Sequence, residues 1–346
     1  MNNNNRNCIR HPQNLLITGG CGFIGVNFIH YLLSPESGFT GTIVNIDKLT
    51  YAAHSNALVE LVNPRYIFIY GDICDSILIK DILYKFNIDT ICHFAAESHV
   101  DRSINNGYPF IQSNINGTFS LLEIVRQYYP SVHFHHISTD EVFGSLEPSD
   151  AAFTELAPYA PNNPYSASKA SSDHLVRAYA HTYNLSTTMS HSSNNYGLYQ
   201  HEEKLIPQTI RRLYDKKPIP LYGDGSNIRD WIHVSDHVRA IWTILCYGNT
   251  GENYNIGARN EYSNRELLQI LCKLYAELTT PAKNDIKSVY NEYLNLITLV
   301  PDRPGHDLRY AIDPSKIEKT LYWYPQIPFE AGLKALIVHQ VDSYQK

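Results

Sequence analysis

Short β-rich runs alternate with longer stretches of helical period along the first half of the chain. Leu15–Thr18, Thr42–Asp47, Tyr66–Tyr70, Thr90–Ala95 and Val132–Ser138 read as strands, with helices expected to begin near Phe23, Ser76, Pro109 and Tyr165. Mostly apolar strands separated by helices imply a parallel sheet covered on both faces. The fold class is therefore α/β, a doubly wound parallel sheet. After about Ser190 the pattern loosens. Asn194–Gly197, Tyr222–Asn227 and Pro301–Gly305 are turn-rich, and helices are expected near Lys204–Asp215, Asp236–Cys246, Asn264–Leu278 and Phe329–Asp342. There is no internal repeat and no low-complexity linker. The first domain is placed at 1–190, with 230–258 returning to it. The second, a smaller mixed α/β domain, is placed at 191–229 and 259–346. The two are expected to pack tightly with the active site between them.

Composition narrows the function without naming it. The chain has 346 residues, 43% hydrophobic and 18% charged, with a formal net charge of −6. That is ordinary globular usage, and it offers no general attraction to nucleic acid or to an anionic membrane. No apolar run approaches the ~18 residues needed to cross a bilayer. The polar start, 1–7, lacks the apolar core of a secretory signal and reads as a frayed tail. Cys8, Cys21, Cys74, Cys92, Cys246 and Cys272 form no C-x-x-C pair and read as reduced residues of a cytoplasmic protein.

The first chemistry lies directly after the first strand. Gly20, Gly22 and Gly25 fit G-x-G-x-x-G, and Gly19, Gly22 and Gly25 fit G-x-x-G-x-x-G equally well. Glycines there allow a tight turn and let backbone approach a pyrophosphate seated on the helix N-terminus. A glycine triplet alone also serves any tight strand–helix turn. Here it opens a βαβ unit, and Asp47 closes the second strand about 20 residues on, where an acid accepts from ribose hydroxyls and repels a 2′-phosphate. The pattern points to a Rossmann domain that binds NAD. Asp72, after the third strand, suits an adenine contact or, as plainly, a turn cap.

The second constellation is Tyr165-x-x-x-Lys169, a phenol and an ammonium on one helix face. An ordinary tyrosine, with a pKa near ~10, is no base at neutral pH, but a nearby cation favours its phenolate. Thr139, Asp140 and Glu141 follow the fifth strand, at the edge where open α/β sheets bind ligands. Oxidation of an alcohol needs only the hydroxyl. Adjacent carboxyls suit an elimination, in which one protonates the leaving oxygen and the other removes a proton. His133, His135 and His136 invite a metal reading, but no carboxylate or cysteine cluster completes a site, and neutral core histidines are expected.

These segments resemble the dTDP-glucose 4,6-dehydratase family of extended short-chain dehydrogenases/reductases. The match rests on Asp47–Tyr51, Ala95–Ser103, Ser138–Val142, Tyr165–Ala178, Ser193–Gly197, Glu203–Pro207, Tyr222–Gly225, Arg229–Trp231 and Asp302–Tyr310. The resemblance implies a tightly held NAD, regenerated in each turnover, and dTDP-glucose as substrate. It assigns Tyr165, helped by Lys169 and Thr139, to the 4-hydroxyl proton as hydride leaves C4. Glu141 then takes the C5 proton, Asp140 protonates the departing 6-hydroxyl, and hydride returns to C6. The product is the 4-keto-6-deoxy sugar nucleotide of deoxysugar (rhamnose-type) biosynthesis.

The resemblance also assigns binding roles. For NAD it gives Gly19, Gly22, Phe23, Ile24, Gly25, Asp47, Lys48, Leu49, Thr50, Asp72, Ile73, Ala95, Ala96, Ser98, Ser113, Tyr165, Lys169 and Asn195. For the sugar nucleotide it gives His99, Thr139, Asn194, Asn195, Lys204, Leu205, Asn264 and His306, with Arg229 and Arg303 on the diphosphate and Pro220, Leu221 and Tyr222 around the base. It implies no metal, and a homodimer formed through the helices of 109–128 and 165–183. Phe143 stands where the family has Tyr, Leu198 where it has Pro, and Tyr199–Glu203 departs from its usual loop. A UDP- or GDP-sugar dehydratase or epimerase on the same fold, or a catalytically silent NAD-binding regulator, are the competing readings.

Overall fold

The computed structural model describes residues 9–54, 57–58, 61–280 and 285–345; the polar start and Cys8 lie outside the described residues. In chain order the strands are β1 (Asn14–Thr18), β2 (Thr42–Asp47), β3 (Tyr66–Tyr70), β4 (Thr90–His93), β5 (His133–Thr139), β6 (Thr187–Ser192) and β7 (Asn194–Tyr196). They continue as β8 (Ile219–Tyr222), β9 (Ile228–His233), β10 (Asn253–Ile256), β11 (Glu261–Ser263), β12 (Ile297–Val300) and β13 (Arg309–Tyr310). Seven of them form one parallel sheet in the order β10-β6-β5-β4-β1-β2-β3. Alternation along β1 divides the core. Leu15 and Ile17 pack with helices Phe23–Leu33 and Val234–Tyr247, whereas Leu16 packs with Ser76–Lys85, Gly117–Tyr128 and Pro164–Tyr183 on the other face. This is the doubly wound arrangement.

Strand order reverses between β1 and β4, which opens a crevice at their carboxyl ends. β4 stops at His93, two residues short of the expected run, because the Ala95 amide turns to the Thr18 hydroxyl at 3.3 Å. β6 was not evident from the sequence. Its residues, Thr-Thr-Met-Ser-His-Ser, look like a loop but are all buried. Their polar groups are satisfied sideways: His133 bonds Ser186 and Thr188, each at 2.9 Å, and His135 bonds Thr188 at 2.8 Å and Ser190 at 3.3 Å. Burial pushes the His133 imidazole down to about 3 and His135 well below its ordinary value, so both are neutral hydrogen-bonding core residues. Among the described residues no cluster of His, Cys, Asp or Glu is placed to hold a metal.

The single helix expected from Pro109 is a broken one. Val100–Asn105, Tyr108–Phe110 and a π-helical turn over Ile111–Asn116 precede Gly117–Tyr128. Such turns gather at functional sites, and this one aims Ser113 and Asn114 inward. The second unit builds its own core from Leu205–Tyr214, Asn264–Thr279 and Phe329–Tyr344 around Tyr196, Trp231 and Leu271. β11, β9 and β13 form a small sheet there, with β7 paired to β9, and β8 pairs β12. No helix among the described residues is long and apolar enough to cross a membrane.

Candidate active site

β1 runs into Gly19, whose φ of +69° lies in the left-handed region. A Cβ there would meet the Ala95 backbone at 2.6 Å, and one at Gly25 would meet Gly20 Cα and Gly19 O at 2.6 Å. The loop, the helix and the end of β4 are thus pressed together backbone to backbone. Gly22 is the N-cap of Phe23–Leu33 and supplies no side-chain cap, so the first-turn amides have no local acceptor. Those amides border a cavity of about 320 Å³ lined by Gly19, Gly22, Phe23, Ile24 and Gly25. An uncapped helix start over glycine in a cavity fits a pyrophosphate. Gly25→Ala is expected to destabilise the fold by about 1–3 kcal/mol, the cost of an overpacked site, and to yield protein purified without NAD. Thermal denaturation and the nucleotide released on unfolding measure the two effects.

Asp47 is tied to this turn. Its Oδ2 accepts from the Cys21 amide at 2.9 Å and its Oδ1 from the Leu49 amide at 2.8 Å, which leaves lone pairs toward the cavity. Burial is the main influence on its carboxyl and raises it, opposed by those amides. Lys48 bonds Ser113 at 3.0 Å and lies 3.5 Å from Asp72, whose other oxygen caps the Cys74 amide at 2.9 Å. Lys48, Thr50, Ile73, Ala95, Ala96, Ser98 and Ser113 join the lining; Leu49 and Asp72 do not. Asp72 caps its turn with one oxygen and meets Lys48 with the other.

At the opposite end of the cavity stand the groups of β5 and the helix Pro164–Tyr183. Thr139 closes β5 and caps the short turn Asp140–Phe143, accepting from the Glu141 amide at 3.3 Å. That turn points both carboxyls at the cavity. Asp140 is 2% exposed, and its Oδ2 has no hydrogen-bond partner among the described residues. Burial, then the Glu141 charge, pushes its carboxyl well above the ordinary range. Burial also raises Glu141, but Arg303, Arg229, Lys204 and the Asn163 amide, 3.4 Å away, pull it back. Neighbouring carboxyls that differ in this way favour one protonated and one ionised group. Tyr165 lies in the first turn of its helix, which an Asn163/Ser166 capping box starts, with its ring edge-on to Phe110. Burial, then Glu141, raises its phenol, and the Thr139 hydroxyl opposes them. One turn on, Lys169 donates to the Ile137 carbonyl at 2.7 Å. The second unit closes the cavity with Asn194, Asn195 and Lys204.

A sequence profile for the GDP-mannose 4,6 dehydratase family matches residues 16–336. A Haemophilus influenzae protein named dTDP-glucose 4,6-dehydratase is 50% identical over 334 residues, 94% of this chain and 97% of that one. The chain belongs to the dTDP-glucose 4,6-dehydratase family. Two solved dTDP-glucose 4,6-dehydratases, each crystallised with NAD, share its fold. DesIV from Streptomyces venezuelae superposes with a TM-score of 0.87 at 41% identity, covering 96% of this chain and 98% of its own. The Bacillus anthracis enzyme gives 0.84 at 40%, with the same coverage.

Within this dehydratase the remaining expected residues lie outside that lining. His99 caps the helix Val100–Asn105, and its Nε2 lies 3.4 Å from Glu203. Leu205 and Leu221 pack in the second core, and Asn264 begins the helix that follows β11. Arg229 is 5% exposed, donates to the Ile228, Leu308 and Asp307 carbonyls and stacks over Tyr310. Arg303 approaches Asp101 at 3.8 Å, and His306 bonds Asp302 at 2.7 Å while facing Tyr222 edge-on. Arg229 and Arg303 act electrostatically on both Glu141 and His306, and Pro220 lies on β8.

The lining also holds Glu97, Ser193, Gln200 and Glu203, which sequence reasoning passed over. Glu203 had a signal, its place in the matching Glu203–Pro207 segment. Its carboxylate gathers Arg102 at 3.3 Å and His201 at 3.6 Å besides His99. Glu97 enters through Asn114, which bonds both its amide and its carbonyl, a pairing that only the π-helical turn creates.

Proposed function

We propose that this chain removes water from dTDP-glucose to give the 4-keto-6-deoxy sugar nucleotide, at the cavity between β5, the helix Pro164–Tyr183 and the 194–204 segment. The observation that carries the reading is the Asp140–Glu141 pair, one carboxyl driven further toward its neutral form than the other, beside Tyr165 and Lys169. An oxidation and its reversal, as in an epimerase, has no use for such a pair. NAD, when bound over the glycine turn, supplies oxidation at C4 and reduction at C6. Tyr165 takes the 4-hydroxyl proton, oriented by Thr139, with the Lys169 ammonium favouring the phenolate. The ketone then acidifies C5, Glu141 takes that proton as the ionised carboxylate, and Asp140 gives its proton to the leaving 6-hydroxyl. Glu141 finally returns its proton to C5. Arg229, Arg303, Tyr222 and His306 are proposed to hold the nucleotide.

The proposal includes a cytoplasmic enzyme with an NAD domain over 1–190 and 230–258 and a sugar-nucleotide domain over the rest. It also includes a homodimer joined through helices that expose Tyr108, Ile111, Phe119 and Tyr183. Incubation with dTDP-glucose, UDP-glucose and GDP-mannose separately in deuterated water, without added cofactor, tests the chemistry. Water loss and deuterium at C5 with dTDP-glucose alone are expected. Turnover of another sugar nucleotide would move the substrate, and no water loss from any of them, even with NAD added, would sink the dehydratase reading.

A further inference from the structure

The face of the helix that carries Tyr165 and Lys169 continues, four residues further on, to Asp173. Asp173 does not line the cavity; it is completely buried behind Lys169, against the backs of β5 and β6. Four polar groups from three separate segments converge on its carboxylate. Ser138 and Tyr159 donate to Oδ2 at 2.8 and 3.0 Å, His191 Nε2 lies 3.1 Å from the same oxygen, and His136 Nε2 lies 3.2 Å from Oδ1. Such a hydrogen-bonded carboxyl is held well below its ordinary range despite its burial.

A buried anion needs a counter-charge or a full set of hydrogen bonds. Burial brings His136 down to about 4, so it is neutral near pH 7. The nearest cation is Lys169, whose Nζ is 3.4 Å from the same His136 Nε2. Lys169 is buried too, and Asp173 is the carboxylate that acts on it: burial lowers it to about 8, and Asp173 pushes it back up. Two opposite buried charges therefore share one imidazole. The ring's Nε2 lies against Lys169, the Ser172 hydroxyl at 3.3 Å and Asp173 Oδ1, which has no other hydrogen-bond partner among the described residues. The other groups around the pair come from neighbouring elements. His93 of β4 faces His136 at 5.4 Å between rings, and Tyr159 is flanked by Arg177 and His174. Tyr165, Lys169, Asp140 and Glu141 all line the cavity, and after burial the charges of Glu141, Asp140 and Asp173 all raise the Tyr165 phenol.

We propose that Asp173 is a positioning residue for the reaction, acting through His136 to keep Lys169 charged and docked on the Ile137 carbonyl, and through Ser138 to brace the strand end that carries Thr139, Asp140 and Glu141. The inference rests on Tyr165 and Lys169 serving as described above. It gives Lys169 a permanent counter-ion out of reach of substrate and solvent.

Asp173→Asn keeps size and hydrogen bonding but removes the charge. Lys169 then loses its proton at lower pH, because the carboxylate that pushes it back up is gone. The loss of kcat that accompanies Lys169 deprotonation is expected about one unit lower in pH, equivalent to about tenfold at fixed pH above that point, with KM for dTDP-glucose within about twofold. NAD affinity of the stripped protein, by equilibrium dialysis, supplies a readout free of turnover. Its loss with rising pH is expected at lower pH than in the unaltered protein. A role in packing alone would lower the folded fraction and leave both profiles where they are, and that result overturns the proposal. His136→Gln, which removes the shared ring and leaves Asp173 in place, is expected to shift both profiles in the same direction. It decides the matter if Asp173→Asn fails to fold by circular dichroism; if neither variant folds, the network serves folding and the proposal falls. Absence of turnover in the unaltered protein, by contrast, is a failure of the dehydratase reading, and the NAD profile still tests Asp173.

Discussion

Glu141→Gln is expected to abolish both deuterium uptake at C5 and water loss, whereas Asp140→Asn stops water loss and leaves C5 exchange running. Each loss is expected at about 10²–10⁴-fold, the usual contribution of one positioned acid or base. The split follows from the two environments. Asp140, buried with one oxygen unpartnered, is kept protonated and can only give. Glu141 is pulled back toward ionisation by Arg303 and Arg229 and can take. The pH dependence has a definite sign. The base must be ionised, so activity appears as pH rises through the raised Glu141 value. The acid must be protonated, so activity falls as pH rises through that of Asp140. Asparagine at 140 removes the part of the fall due to Asp140 along with most of the rate. Mass spectrometry of the sugar nucleotide in deuterated water follows both signals, and Asp140→Asn with undiminished water loss would overturn the assignment.

Tyr165→Phe is expected to suppress exchange and water loss together, again by about 10²–10⁴-fold, because both depend on a ketone formed first. The phenyl ring keeps its edge contact with Phe110, so a thermal midpoint close to that of the unaltered protein is expected. What separates this variant from Glu141→Gln is the finished 4-keto product offered as substrate. There the ketone is already present, and C5 exchange is expected to return with Tyr165→Phe but to stay absent with Glu141→Gln. Equal exchange in the two would mean that Tyr165 also serves at C5, and the division of labour would have to be redrawn.

Legibility in the sequence followed distance along the chain. The glycine turn, Asp140–Glu141 and Tyr165–Lys169 are each compact, so spacing and chemistry can be read without a fold. β1 to β4 were evident because apolar side chains dominate them, apart from the end of β4, where a side chain–backbone bond ends the strand, and Val132, Phe134 and Ile137 marked β5 among its histidines. β6 escaped because its hydroxyls are satisfied by histidines of a strand about 50 residues earlier, and hydropathy carries no trace of such a partnership. Glu97 and Asp173 were invisible for the same reason. An acid between two histidines is unremarkable until the sheet places His136 and His191 on either side of it.

The last strand of the central sheet carries a consequence for synthesis. β10 reaches its place beside β6 only after β7, β8 and β9 have been laid down elsewhere. A nascent chain on the ribosome therefore presents β6 with its outer edge unpaired until residues 253–256 emerge, and an open edge of this kind recruits other strands. The central sheet cannot be completed until the segment carrying β7, β8 and β9 has been made. A chaperone that shields that edge during translation, rather than one that acts on the released chain, is the kind of help this topology calls for.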